Sequence, residues 1–158
     1  MKSMKLSGKN ILLIIISISF TLFAGCLQFG EEVSTDNPTQ EQVAFCKSTL
    51  FLNDDIELTP IGYKLNATGI DDALWFKFST KTKDPKKIFK EELIDSISFS
   101  DDYKFPGAYA KESWWDIKGK KVYGGQVELP SGTNFMEVGI PESDTPGEYI
   151  IYIFWFEV

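Results

Sequence analysis

A repeated period-two alternation of apolar and polar residues limits this chain more than any other feature. Ile61, Tyr63 and Leu65 alternate with Gly62, Lys64 and Asn66, and Leu74, Phe76 and Phe78 alternate with Trp75, Lys77 and Ser79. Successive strand side chains point to opposite faces, so each segment is expected to be a strand with one face in a core. The Gly69-Ile70-Asp71-Asp72 turn signal between them predicts a hairpin. A second hairpin is expected from a strand over about 122–129, a turn at Pro130-Ser131-Gly132, and a return carrying Met136, Val138 and Ile140. Ile97 and Phe99 alternate with serines and predict a short strand ending at the acidic turn Asp101-Asp102. Tyr149 to Val158 is apolar almost throughout, as in a central strand covered on both faces.

Helix signals are fewer. Asn37 as a cap, Pro38 at the first helical position and Gln40 three residues on predict a short helix through Val43, Phe45 and Leu50. Asp84-Pro85 predicts another, running to about Ile94 with Ile88, Phe89 and Leu93 inward. Strands and helices do not alternate as βαβ units. The expected class is therefore mainly β or α+β, a small antiparallel sheet or sandwich of about six strands with one or two short helices.

The N-terminal region follows a different pattern. Lys2, Lys5 and Lys9 precede a stretch without charge from Asn10 to Gly30, and eleven of the fourteen residues from 11 to 24 are apolar. This is the profile of an export signal. It closes on Leu22-Phe23-Ala24-Gly25-Cys26, which resembles the lipobox of bacterial lipoproteins, with Phe23 where that family usually has Leu. The resemblance covers only the first 26 residues. It implies cleavage before Cys26, a diacylglycerol and fatty acyl chains on that cysteine, and a domain tethered in the cell envelope on the extracytoplasmic side of a membrane. The organisation expected is a signal peptide over 1–25, a lipidated N-terminus and flexible tether over 26–42, and a single globular domain over 43–158. An uncleaved span is the alternative, since about 20 apolar residues cross a bilayer, but Ser17, Ser19, Thr21 and the placement of Cys26 favour cleavage.

Charge and missing residue types exclude much chemistry. The chain carries −7; losing three lysines and no acids with the signal leaves 13 lysines against 23 acids, or −10. Such a surface repels nucleic acid and anionic headgroups, and a partner steered by charge is basic. Arginine is absent, which disfavours bidentate recognition of phosphate. Histidine is absent too, removing Ser-His-Asp and Cys-His activation and most zinc sites. With Cys26 lipidated, Cys46 is the one remaining thiol, expected as a buried small hydrophobe, with an intermolecular disulfide as the alternative. The carboxylates at 54–57, 71–72, 91–95 and 101–102 read as surface charge rather than a glycosidase pair or a calcium loop. No enzyme, cofactor or metal is expected.

The aromatic-rich segment stands out. Tyr103, Phe105, Tyr109, Trp114, Trp115 and Tyr123 fall within 21 residues, among Pro106, Gly107 and Gly119. These rings either roof the sheet or present a binding surface, so Trp114, Trp115, Tyr109 and Tyr103 are the candidate binding residues. Trp115, sharing parity with Ile117, is the expected buried member. The leading functional expectation is a non-enzymatic binding module, such as an inhibitor or immunity-type protein, that engages a basic envelope protein. Carbohydrate or cell-wall binding through exposed aromatics, and a structural place in an envelope assembly, are the alternatives. If Cys26 is the acylation site, Cys26→Ser yields an uncleaved chain that takes up no fatty-acid analogue in metabolic labelling; continued incorporation contradicts the lipobox reading.

Overall fold

The computed structural model describes residues 31–69, 71–106 and 110–157. The expected signal peptide and Cys26 lie outside them. No described helix is long and apolar enough to cross a membrane.

Among the described residues, seven antiparallel strands form one sheet. In chain order they are β1 (Glu31–Thr35), β2 (Leu58–Ala67), β3 (Ala73–Thr80), β4 (Ser100–Tyr103), β5 (Val122–Glu128), β6 (Asn134–Pro141) and β7 (Tyr149–Glu157). Their spatial order is β1-β2-β3-β7-β6-β5-β4. Both expected hairpins form, β2 with β3 and β5 with β6, and β7 inserts between them as the central strand. Three short helices complete the set: α1 (Gln40–Thr49), α2 (Pro85–Ile88) and α3 (Glu91–Ile94). The fold is thus the mainly β, antiparallel class that the alternation implies, as a single sheet rather than a sandwich.

The period-two pattern decides which face the helices cover. Leu74, Phe76 and Phe78 of β3 align with Trp155, Ile153 and Ile151 of β7, and Met136 and Val138 of β6 continue the rows. Cys46, Leu50, Leu52, Ile88, Phe89 and Leu93 close over them, all without solvent exposure. A β-bulge between Pro60 and Gly62 takes Ile61 out of the register expected for it with Tyr63 and Leu65.

Several elements differ from the sequence expectation. The helix after β1 is capped by Thr39, not Asn37: the Gln42 N–H donates to the Thr39 hydroxyl at 3.3 Å, and the Thr39 N–H donates to the Gln42 side chain at 2.9 Å. Asn37 instead donates its N–H to Thr35 Oγ1 in the turn leaving β1. Residues 31–42 therefore belong to the fold rather than to the tether expected over 26–42, because β1 pairs along its whole length with β2. The helix expected from Asp84 to Ile94 breaks at Phe89, which bridges Leu52. The Lys90 N–H donates to the Phe51 carbonyl at 2.8 Å, and the Asn53 N–H to the Ile88 carbonyl at 2.9 Å. Those tertiary bonds replace helical ones and turn both Ile88 and Phe89 inward. The strand expected at 97–99 lies at 100–103 and runs through the acids rather than ending at them. Both sheet edges consequently carry carboxylates, Glu32 on β1 and Asp101 and Asp102 on β4, which oppose edge-to-edge association.

The cap assignment is testable. Thr39→Ala is expected to lower stability by about 1 kcal/mol in denaturant unfolding, whereas Asn37→Ala stays within about 0.5 kcal/mol.

Candidate functional site

The second face of the sheet is where features accumulate that folding alone does not explain. It is organised in rows of cross-strand neighbours. One row reads Gly124 (β5), Gly139 (β6), Tyr152 (β7), Lys77 (β3) and Gly62 (β2). The connection after β4 crosses the sheet along this row as a strap. Phe105 and Ile117 lie on Gly139, where an added Cβ would come within 2.7 and 2.8 Å of them. Trp114 lies on Gly62, where a Cβ would meet its ring at 2.2 Å. Only glycine admits so close an approach at these two positions. Between them Trp115 packs edge-on against Tyr152, with ring centroids 5.2 Å apart.

Polar groups fix the crossing. The Lys77 ammonium, on a residue 8% exposed, donates to Asp116 Oδ1 at 2.6 Å and to the Trp114 carbonyl at 2.8 Å. The Tyr152 hydroxyl donates to the same carboxylate oxygen at 2.6 Å, and Lys120 donates to Oδ2 at 2.8 Å. Burial by itself would raise the Asp116 carboxyl, but the bonds from Lys120, Lys77 and Tyr152 outweigh it and hold the group well below the usual carboxylate range. Burial and the neighbouring carboxylate push the Tyr152 hydroxyl above its ordinary value, so it remains a donor. At the strap's other end Glu112 accepts from Lys64 at 2.8 Å, and Lys64 also pairs with Glu32 at 2.6 Å.

The candidate residues from the sequence are thus dispersed. Trp115, 6% exposed, is inside this second core, and half-buried Trp114 has its ring over Gly62. Tyr103 is half-buried and donates its hydroxyl to Glu137. Tyr109 lies outside the described residues. Trp115 and Tyr103 serve as roof, and so does the ring face that Trp114 turns to Gly62.

What the alternation did not reveal lies beyond the strap. The next row outward is Gln126, Glu137, Phe154, Trp75 and Lys64; the outermost is Glu128, Phe135, Phe156, Ala73, Asn66 and Glu32. Phe154 and Phe156 stack at 5.1 Å and 19°, and Phe156 and Phe135 at 5.9 Å and 24°. Trp75 meets Phe154 at 5.0 Å. Among the described residues, Trp75 and Phe154 lean on the strap's core, but Phe135 and Phe156 pack with neither hydrophobic cluster. All four remain half-buried, so β7 is less fully covered than its apolar run implies. Glu128 stands opposite Phe135, and Glu137, 5% exposed, lies opposite Phe154 with its carboxyl raised by burial. The one lysine in these two rows, Lys64, is already held by two carboxylates.

Elsewhere the structure offers open clefts on either side of the β6–β7 loop, lined by Lys83, Lys121, Tyr123, Glu142, Ser143 and Tyr149 among others. Among the described residues no three His, Cys, Asp or Glu side chains group so as to hold a metal. Cys46 is buried and its thiol is pushed up by burial, out of reach of the reactive thiolate form.

The Asp116 network sets a pH dependence. A carboxyl lowered by folding stabilises fully above its unfolded value near about 3.9 and ceases to do so as pH falls through the folded value. Asp116→Asn is expected to cost about 3 kcal/mol at neutral pH, because it leaves the Lys77 ammonium, on a side chain 10% exposed, without a counter-charge. It should also flatten the loss of stability below about pH 4. Denaturant unfolding across pH, comparing both chains, checks this.

The sequence matches no protein-family model, no curated protein and no solved structure.

Proposed function

We propose that this chain is a lipid-anchored, non-enzymatic binding module of the cell envelope that engages a basic protein through the outer aromatic stack. The observation that carries the reading is the Phe135–Phe156 pair: two large rings, stacked on each other and held by neither core. Aromatic rings kept half-buried on the face of a sheet resemble the centres of protein interfaces, where a few such residues supply most of the affinity. Exposed Glu128 stands opposite Phe135, exposed Glu157 follows Phe156 in β7, and no unpaired lysine shares the two aromatic rows. Their charge selects a cationic partner and speeds its approach. Anchoring rests on the Lys-rich, apolar N-terminus closing on Cys26.

Capture from envelope extract by the full chain tests this reading. The expected result is a basic protein retained by the wild type, released as salt rises, and held at least 2 kcal/mol less tightly by Phe156→Ala. A partner held equally by Phe156→Ala, or binding that ignores salt, contradicts it. Binding of neutral oligosaccharide lost in Trp114→Ala would instead favour a cell-wall module.

A further inference from the structure

We infer that the aromatic stack faces the bilayer end of the tethered domain, and that its partner is a basic, partly apolar juxtamembrane segment of a protein in the same membrane. This rests on the lipid-anchored binding reading and adds to it where the site stands and what it meets.

Strand direction and chain length carry the inference. β1 begins at Glu31, which pairs with Ala67 at one end of the sheet. The same end holds Ala73 of β3, Glu157 of β7, Asn134 of β6 and Glu128 of β5. Four residues, 27–30, separate Cys26 from Glu31, so a lipid on Cys26 leaves this end within about 17 Å of the bilayer surface. The opposite end, with Thr145 in the β6–β7 loop, lies about 26 Å further along the strands. Phe135 and Phe156 are one residue in from the Asn134–Glu157 pair at the tethered end, in the last row of the sheet's second face.

The same geometry argues against lipid as the occupant. Glu32, Asp71, Asp72, Glu128 and Glu157 lie at or beside this end of the strands, and anionic headgroups would repel them. A segment carrying lysine or arginine beside apolar residues satisfies both the rings and the acids. Such segments flank membrane spans.

The test uses the acylated full chain in vesicles of phosphatidylethanolamine and phosphatidylglycerol, with an acceptor dye on the headgroups. A donor is placed on Ser131→Cys, at the tethered end, or on Thr145→Cys, at the far end; buried Cys46 is left in place. Energy transfer from Ser131→Cys is expected to exceed that from Thr145→Cys about twofold or more, given the offset along the strands. The vesicles then receive a single-span peptide with a Lys/Leu juxtamembrane segment, or its Glu/Leu counterpart. Association with the lysine peptide is expected to be about tenfold tighter, and to fall about tenfold in the Phe135→Ser, Phe156→Ser double variant. Equal transfer from the two labels overturns the orientation. Equal binding of the two peptides, or binding untouched by the double variant, overturns the assigned partner even if a soluble basic protein is captured from extract. A chain that does not float with the vesicles at all instead defeats the lipid anchor beneath both readings.

Discussion

The ion pair between Lys77 and Asp116 is the interaction on which the second face of the sheet depends. Lys77 projects from a central strand into a position where its ammonium is almost entirely removed from water, and an unpaired charge there would cost several kcal/mol. Asp116, the Trp114 carbonyl and the Tyr152 ring satisfy it together. The partners come from the connection between β4 and β5, so the buried lysine dictates that this connection cross the sheet rather than loop into solvent. Gly62 and Gly139, in the same row as Lys77, then let the strap's rings approach the backbone. Charge, missing side chains and aromatic packing thus agree on one line of contact.

That line also defines what stays uncovered. The strap occupies the row of Lys77 and Tyr152, and the two rows toward the end where β1 begins carry Trp75, Phe154, Phe156 and Phe135. A chain selected only to fold would place polar residues where Phe135 and Phe156 stand, since neither core gains from them. Their presence there, with carboxylates as neighbours, is the physical basis for proposing contact with a cationic, partly apolar partner. The clefts beside the β6–β7 loop carry lysines and acids together.

Much of the sheet was legible in the sequence because period-two alternation fixes a strand's faces. Leu74, Phe76 and Phe78 lie in the core that their spacing implies. β1 escaped notice because an edge strand covered little by the core reads as polar linker, with Val33 alone packing inward. The helix start was misplaced by two residues because Asn37 with Gln40 and Thr39 with Gln42 both fit a capping box, and only the turn out of β1 separates them. The break at Phe89 depends on residues 51–53, distant in sequence. Of the candidate site, parity placed Trp115 correctly inside. The outer stack stayed hidden because β7 is apolar at every position, which reads as coverage on both faces until the strap's limited span is known.

The claim that the stack is surplus to folding is most directly tested by comparing the unfolding free energies of Phe156→Ala and Phe76→Ala in denaturant. Phe76, without solvent exposure in the main core, should cost about 3–5 kcal/mol, and Phe156 less than about 1 kcal/mol, as a surface substitution. A Phe156→Ala cost equal to that of Phe76→Ala would make the stack part of the core and contradict its role as a contact surface.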